Sequence, residues 1–243
     1  MTEAQPTESL YGSEPQPELP KAPNLLDQVA GIFTEPVALF GRLGQTPRWG
    51  HAFLLVAVAD AVMMYLWGRR VDAEGVFGPI LERNPNIPSE KIPDIAAIQA
   101  KWAWVNVPIF YIIGALVAAL VFWLVAKGFA EGERVSYRKA LSATVVPWLV
   151  SLPKALLLAI ICATKNFGAA MVDVLSPTSV AFYVEPASNR IHHLLAAVDL
   201  FTFASIGMAW LAARHLLRLT PAGSAICAGF VAAAKFLLPL LQG

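Results

Sequence analysis

The chain has 243 residues, of which 57% are apolar types and only 14% are Asp, Glu, Lys or Arg. A soluble domain carries about 25% charged residues, so this composition disfavours a soluble globular domain and a disordered chain. The net charge of +1 offers no field of one sign for nucleic-acid phosphates, and two cysteines, Cys162 and Cys227, are too few for a disulfide framework or a four-ligand metal site.

The first 24 residues carry five prolines and four glutamates. Such a segment cannot bury enough apolar surface to offset the loss of chain entropy, which predicts a disordered cytoplasmic tail over residues 1–24. The tail has no basic start followed by an apolar stretch, so it does not resemble a secretory signal. We therefore expect the first membrane segment to direct insertion, and residues 25–243 to form one membrane domain.

Residues 25–45 place apolar side chains at spacings of three and four, which predicts amphipathic helices. Thr34 precedes Glu35-Pro36, a pattern that predicts a helix cap followed by a proline in the first turn. We expect two short helices that break near Thr34 and lie on the membrane surface. The alternative is a helix docked on the loops of the bundle.

Five long apolar runs follow, each of 17 to 20 residues. At about 1.5 Å per residue, each roughly matches a hydrocarbon core of about 30 Å. They lack the alternation of barrel strands, and a helix in lipid satisfies its own backbone hydrogen bonds. The sequence therefore predicts an all-α, polytopic bundle of five transmembrane helices with an N-terminal interfacial helix. The predicted spans are residues 52–68, 107–126, 145–163, 194–213 and 222–241.

The third run is the least regular, because Pro147 and Pro153 lie inside it. These prolines predict either a kink or a surface helix that begins near Val135 and enters the membrane near Pro147. Before the second run, Ser89 is expected to cap a short helix over residues 90–103. Residues 164–193 are expected to form a loop.

Lysine and arginine in the loops predict the orientation. Residues 127–139 hold four basic residues in 13 positions, whereas residues 69–106 hold five in 38. This density favours an inside N-terminus and an outside C-terminus, although the pair Arg69-Arg70 argues the other way. The short basic loop is also expected to meet anionic lipid headgroups.

Four of the runs contain one charged residue each, and a charge is costly in a bilayer. These residues are Asp60, Lys154, Asp199 and Lys235. Depth along the helices matches Asp60 with Lys154 and Asp199 with Lys235, which predicts two intramembrane ion pairs. Two interpretations stay open: an ion or proton path or substrate site, or pairs that only neutralise buried charge and fix the helix register.

Other polar groups give weaker patterns. Glu131-x-Glu133 and Asp72-x-Glu74 are carboxylate pairs that a membrane lipid enzyme could use to hold a metal, with solvated loop charges as the alternative. The four histidines lack other ligand types at metal spacing, and no Gly-rich phosphate loop or Gly-x-Ser-x-Gly elbow occurs. We therefore expect no catalytic residue, no cofactor and no metal.

Small residues recur every four positions along the last two runs, which allows helix backbones to approach closely. They are Ser205, Ala209 and Ala213, and Ala225, Gly229 and Ala233. These stripes predict either packing within the bundle or self-association of two copies.

Three stretches carry a family resemblance. IFTEPVALFGRLGQTPRW places Pro36, Phe40, Pro47 and Trp49 before the first span, EGERVSYRKALSATVVPWLVSLP leads into the third, and VDLFTFASIGMAWL lies in the fourth. Over about residues 30–241 the chain resembles the bacterial branch of the Yip family, the Ypt/Rab-interacting proteins. The resemblance implies a five-helix bundle with its N-terminus inside and its C-terminus outside.

The resemblance also implies a function. Eukaryotic members are linked to vesicle traffic and Rab GTPases, but this sequence lacks their Asp-Leu-Tyr-Gly-Pro stretch before the first span, so a GTPase partner is not expected. We expect a non-enzymatic scaffold or adaptor of a bacterial inner membrane, whose partners are the bilayer and a protein partner or a second copy. The alternative is a small transporter or channel that uses the intramembrane Asp/Lys pairs.

Overall fold

The computed structural model describes residues 22–132, 134–164, 176–184 and 189–242. Within them the regular structure is helical, apart from two isolated β-bridges, Ala130–Leu219 and Ser179–Asp199. The predicted all-helical class is confirmed, while residues 1–21 of the predicted tail lie outside the described residues. The helices are α1 (Leu25–Thr34), α2 (Pro36–Gln45), α3 (Gly50–Gly68), α4 (Ala73–Leu81), α5 (Ile92–Phe129), α6 (Tyr137–Val145), α7 (Leu152–Thr164), α8 (Asn189–Ala197), α9 (Leu200–His215) and α10 (Pro221–Gln242).

The first described residues form two short helices, α1 and α2. Asn24 and Asp27 form a reciprocal capping box, in which each side chain accepts the backbone N–H of the other at 2.9 and 3.0 Å. The helix breaks at Glu35, because a residue before proline is pushed out of the helical region. The predicted break is confirmed, but the predicted cap is wrong: Thr34 ends α1 and donates its hydroxyl to the Ala30 carbonyl oxygen.

Both short helices pack against the bundle. Ile32, Leu39, Phe40 and Leu43 have no exposed surface and share one apolar core with α9 and with the 3₁₀ turn Val146–Ser151. Burying one such side chain contributes about 1.5–3 kcal/mol, so these contacts fix α1 and α2 to the bundle. They are the contacts expected for the docked-helix alternative.

Among the described residues, three helical segments are long and apolar enough to cross a membrane: Gly50–Gly68, Ser89–Phe129 and Tyr137–Thr164. Within α10, residues Pro221–Leu237 form a shorter apolar helical stretch. Large apolar side chains are exposed on the outer faces of the long helices, with Phe110 at 70%, as a lipid-facing surface requires. The chain is therefore an integral membrane protein by the length and composition of its helices.

The second of these segments is longer than predicted. A 3₁₀ turn, Ser89–Lys91, leads directly into the 38 residues of α5. The predicted short helix thus exists as the first part of α5, but Ser89 makes no capping hydrogen bond. A helix of this length rises about 57 Å, so part of it extends beyond a hydrocarbon core of about 30 Å.

Prolines interrupt the third segment as predicted. Helix α6 ends at Val145, the 3₁₀ turn Val146–Ser151 carries Pro147, and α7 starts at Leu152. A proline lacks the N–H that a continuous helix needs and clashes with the preceding turn. Residues 140–145 are all buried, so α6 packs inside the bundle, and both a kinked span and an entry from the membrane surface stay predictions.

The fourth predicted span, residues 194–213, is wrong as one continuous helix. It is divided between α8 and α9, and Asp199 stands at the break as the N-cap of α9. Its Oδ1 accepts the backbone N–H of Phe201 at 2.7 Å. A short acidic side chain bonds its own backbone more readily at a cap than inside a helix, which explains the break.

The helix ends meet in two groups. At one end, the turn between α9 and α10 pairs with the end of α5, where the Thr220 N–H donates to the Phe129 carbonyl oxygen at 2.9 Å. Helix α2 packs on α9 at the same end. At the opposite end, Gly68 of α3 lies so close to the Ala100 carbonyl of α5 that a Cβ atom there would overlap it.

Candidate functional site

The four charged residues predicted inside the membrane gather in one region. Asp60 of α3, Lys154 of α7 and Lys235 of α10 line a cavity of about 330 Å³, together with Tyr111 of α5. Asp199, at the start of α9, joins the group through an ion pair with Lys154. The cavity volume is at the lower end of the range for small-molecule sites, about 300–1,000 Å³.

Lys154 and Asp199 form an ion pair, with Nζ 3.1 Å from Oδ2. The Asp199 side chain has no exposed surface, and that of Lys154 is 21% exposed. Asp199 Oδ2 also accepts hydrogen bonds from the hydroxyls of Thr178 at 2.8 Å and Ser176 at 3.3 Å. With the Phe201 N–H on Oδ1, both carboxylate oxygens have donors, which offsets the cost of removing the charge from water.

A short segment outside the long helices holds Asp199 in place. Ser179 and Asp199 form a bridge, and the Val180 N–H donates to the Val198 carbonyl oxygen at 3.1 Å. The bridge places the hydroxyls of Ser176 and Thr178 beside the carboxylate. These hydroxyl partners did not emerge from the sequence, although the polar run Ser-Pro-Thr-Ser at residues 176–179 was a usable signal.

The ion pair in the structure differs from the predicted pairs. The depth of these residues along the predicted spans paired Asp60 with Lys154 and Asp199 with Lys235. In the structure, Lys154 forms its ion pair with Asp199. The match assumed continuous helices, and the break before α9 gives Asp199 a cap geometry that a helical position would not have. Depth also says nothing about which side of a helix a residue faces, so the partner assignment is corrected.

Asp60 has a neutral partner instead of a lysine. It accepts a hydrogen bond from the hydroxyl of Tyr111. The Tyr111 ring packs edge-on against Trp148, with ring centroids 5.0 Å apart. Because Trp148 lies in the proline-bearing turn between α6 and α7, that turn positions the tyrosine. Tyr111 did not emerge from the sequence either, although it is the only hydroxyl in the run 107–126.

Lys235 faces the cavity from α10 and is exposed in the isolated chain. In the part of the chain that the structure describes, it forms no ion pair with Asp60 or Asp199. Asp60 likewise forms none there. Asp60 and Lys235 therefore line the cavity without forming an ion pair, whereas Lys154 and Asp199 beside them form one.

Two of the other carboxylates singled out from the sequence have structural contacts. Asp72 caps α4 by accepting the Gly75 N–H at 3.2 Å. Glu131 pairs with Arg214 at 3.1 Å, and Glu133 lies outside the described residues. Among the described residues no group of three His, Cys, Asp or Glu side chains could hold a metal ion.

The two stripes of small residues differ in exposure. Ser205, Ala209 and Ala213 are buried in the bundle, so the stripe on α9 packs within the molecule. On α10, Ala225 and Gly229 are exposed. Self-association through that second face stays a prediction.

Comparison with known proteins finds no relative. Protein-family models, curated proteins and solved structures all give no match for this chain.

Proposed function

We propose that this chain is a non-enzymatic membrane scaffold, built as a five-span, Yip-like bundle that organises anionic lipid at its cytoplasmic end. In this proposal, α9 and α10 are the fourth and fifth spans beside the three long segments. Their close packing on each other, and the packing of α10 on α5, support that assignment. An odd number of spans places the two termini on opposite sides of the membrane.

The observation that carries the proposal is the charge of one end of the bundle. We call it the basic end, and it comprises residues 35–49, 127–139 and 214–220. These residues include eight lysines and arginines and three glutamates, whereas residues 69–91 at the other end include four of each sign. Lysine and arginine mark the cytoplasmic face of a membrane protein and attract anionic lipids.

The basic end is also densely packed. Arg214 bonds both Glu131 and the carbonyl oxygen of Leu219, which ties the loop after α5 to the turn before α10. A rigid platform fixes the backbone positions of the exposed cations, so little backbone ordering is needed when they bind headgroups. Six large side chains there are at most 2% exposed: Leu39, Phe40, Leu43, Leu216, Leu217 and Leu219.

A cavity at the basic end has the composition of a headgroup site. It has a volume of about 460 Å³, and Trp123, Lys127 and Arg134 lie in its wall. The Lys127 ammonium group sits 3.7 Å from the centre of the Trp123 ring. Tryptophan is favoured at the membrane interface, and a cation over its face is stabilised by the ring. This arrangement supports contact with anionic headgroups.

Lipid clustering in vesicles tests the scaffold role. The full chain is reconstituted in phosphatidylcholine vesicles that contain donor- and acceptor-labelled phosphatidylglycerol, and clustering is measured as energy transfer. Each cation near an anionic surface contributes about 1 kcal/mol, so removal of three should weaken the affinity for phosphatidylglycerol about 100-fold and thereby lower the energy transfer. The test variant is Arg134→Gln/Arg138→Gln/Lys139→Gln, and its matched control is Arg69→Gln/Arg70→Gln/Arg83→Gln.

Two results of this experiment would contradict the scaffold role. One is an unmodified chain that leaves labelled phosphatidylglycerol evenly distributed. The other is equal loss in the test variant and its control, since that would make the effect independent of the basic end.

Reporter fusions test the topology. Fusions after Gln45, within residues 130–136 and between α9 and α10 should report the cytoplasm, and a fusion at Gly243 should report the outside. A cytoplasmic signal at Gly243 would mean that one helix does not cross, and the five-span bundle would be lost.

The second candidate is a small transporter or channel, because Asp60 and Lys235 line the same cavity without pairing. In proteoliposomes loaded with a pH-sensitive dye, the unmodified chain should then conduct protons. Asp60→Asn should abolish that flux while the protein still inserts. Unchanged flux in Asp60→Asn would remove this candidate.

A further inference from the structure

The cavity between α3, α5, α7 and α10 presents separated charges of both signs. Asp60 and Lys235 both line it, and within the described residues no ion pair joins them. Its apolar wall includes Met63, Phe110 and Leu158. A site whose wall holds an acid, a base and apolar side chains, with no ion pair between the acid and the base, differs from the Lys154–Asp199 ion pair beside it.

Among the described residues, no group of opposite charge forms an ion pair with either of these two charges. Lys154 also lines the cavity, but its ammonium group is engaged by the carboxylate of Asp199. Asp60 accepts a hydrogen bond from the Tyr111 hydroxyl. In the described part of the chain, Asp60 forms no ion pair with a basic residue, and Lys235 forms none with an acidic residue. Unpaired charges at membrane depth are expensive, so a ligand that brings both countercharges would stabilise the site.

We propose that this cavity binds a small zwitterion, whose ammonium group contacts Asp60 and whose phosphate or carboxylate contacts Lys235. The cavity opens at the outer surface of the bundle, since Lys235 is exposed and Phe110 is 70% exposed. About 330 Å³ accommodates a headgroup while acyl chains stay outside. The headgroup of phosphatidylethanolamine and a free zwitterion such as phosphoethanolamine share this chemistry.

The inference gives the second candidate function a ligand class, but binding does not require flux. Binding is therefore measured on its own, at equilibrium, in an uncharged maltoside detergent. Failure of binding and failure of transport then appear in different assays. The scaffold role at the basic end does not depend on either result.

Affinity is measured by microscale thermophoresis on the full chain. The probes are short-chain phosphatidylethanolamine, short-chain phosphatidylglycerol and free phosphoethanolamine. Loss of one charge-assisted hydrogen bond weakens binding about tenfold to hundredfold. The unmodified chain should therefore bind the ethanolamine lipid at least about tenfold more tightly than the glycerol lipid. Saturable binding of phosphoethanolamine alone would make a soluble zwitterion the source.

Two variants locate the ligand. Lys235→Met should weaken binding of the zwitterion about tenfold or more, and Asp60→Asn should remove the preference over phosphatidylglycerol. Lys101→Met and Asp94→Asn, which change exposed residues of α5 outside the cavity, should leave affinity within about twofold. Lys235→Arg and Asp60→Glu keep the charges and should keep the preference.

Two results would overturn the proposal. The first is equal affinity of the unmodified chain for both lipids together with no binding of phosphoethanolamine, a result that needs no variant to fold. The second is a loss in the α5 controls as large as the loss in the cavity variants.

Discussion

Two pairs of charged residues lie close together in this protein: Lys154 with Asp199, and Asp60 with Lys235. They differ in how many ionic and hydrogen-bonding partners each residue has. The Lys154–Asp199 pair has an ionic contact of 3.1 Å, two hydroxyl donors and a backbone N–H. Asp60 and Lys235 share a cavity, and the partner of Asp60 is the Tyr111 hydroxyl. The first pair is part of the framework, whereas in the described residues no ion pair joins the two members of the second.

The difference shows that residue type and membrane depth do not decide what a buried charge does. What decides is the number of donors and acceptors around it, because each unsatisfied group keeps its desolvation cost. Asp199 obtains its partners from a chain break and a neighbouring turn. Asp60 lies in the middle of a continuous helix, where such partners must come from other helices.

The largest expected effect is that of Asp199→Ala, which removes the ion pair, the α9 cap and the two hydrogen bonds donated by the hydroxyls of Ser176 and Thr178. It should lower the free energy of unfolding by about 3–5 kcal/mol, measured by denaturant unfolding in detergent. Asp199→Asn keeps a capping oxygen and should cost less. The control is Asp94→Ala, at an exposed position in α5. If Asp199→Ala costs no more stability than this control, the Lys154–Asp199 pair does not stabilise the fold.

A double-mutant cycle sharpens the same point. Lys154→Met alone leaves a carboxylate without exposed surface and without its cation, whereas Lys154→Met/Asp199→Asn removes both charges. The double variant should cost less than the two single costs added, by about 0.5–3 kcal/mol. Strict additivity in the same unfolding measurement would show that the 3.1 Å contact contributes nothing specific.

Tyr111→Phe tests the environment of Asp60, and its expected effect on stability is smaller. It deletes the hydrogen bond to Asp60 and keeps the ring on Trp148. We expect a loss of about 0.5–1.5 kcal/mol in unfolding free energy, whereas Tyr65→Phe, at an exposed hydroxyl, should stay near zero. A cost as large as that of Asp199→Ala would place Asp60 in the framework too.

The smallest effect is expected at the surface pair of Glu131 and Arg214, whose side chains are 51% and 31% exposed. Glu131→Gln should change stability by at most about 0.5 kcal/mol. That change should vanish in 1 M salt, where the screening length is about 3 Å, while the cost of Asp199→Asn should persist. A salt-resistant cost at Glu131 would mean that this pair is shielded like the internal one.

Local rules were sufficient for much of the fold. The all-helical class, the break before Pro36 and the irregular turn at Pro147 follow from periodicity and from the missing proline N–H. The four charges were also recognisable, because ionisable residues stand out in apolar runs. These features depend on residues within one or two helical turns of each other, and such spacings can be read along the chain.

Only the tertiary structure decided which charges meet. Sequence cannot tell that α9 begins at a break, that a turn of residues 176–179 delivers its hydroxyls to Asp199, or that Lys154 faces it. It also left open whether the N-terminal helices lie on lipid or on protein, and the structure packs Phe40 into the core of the bundle. In each case the deciding contact joins segments distant along the chain, so its geometry depends on how helices rotate and pack against one another.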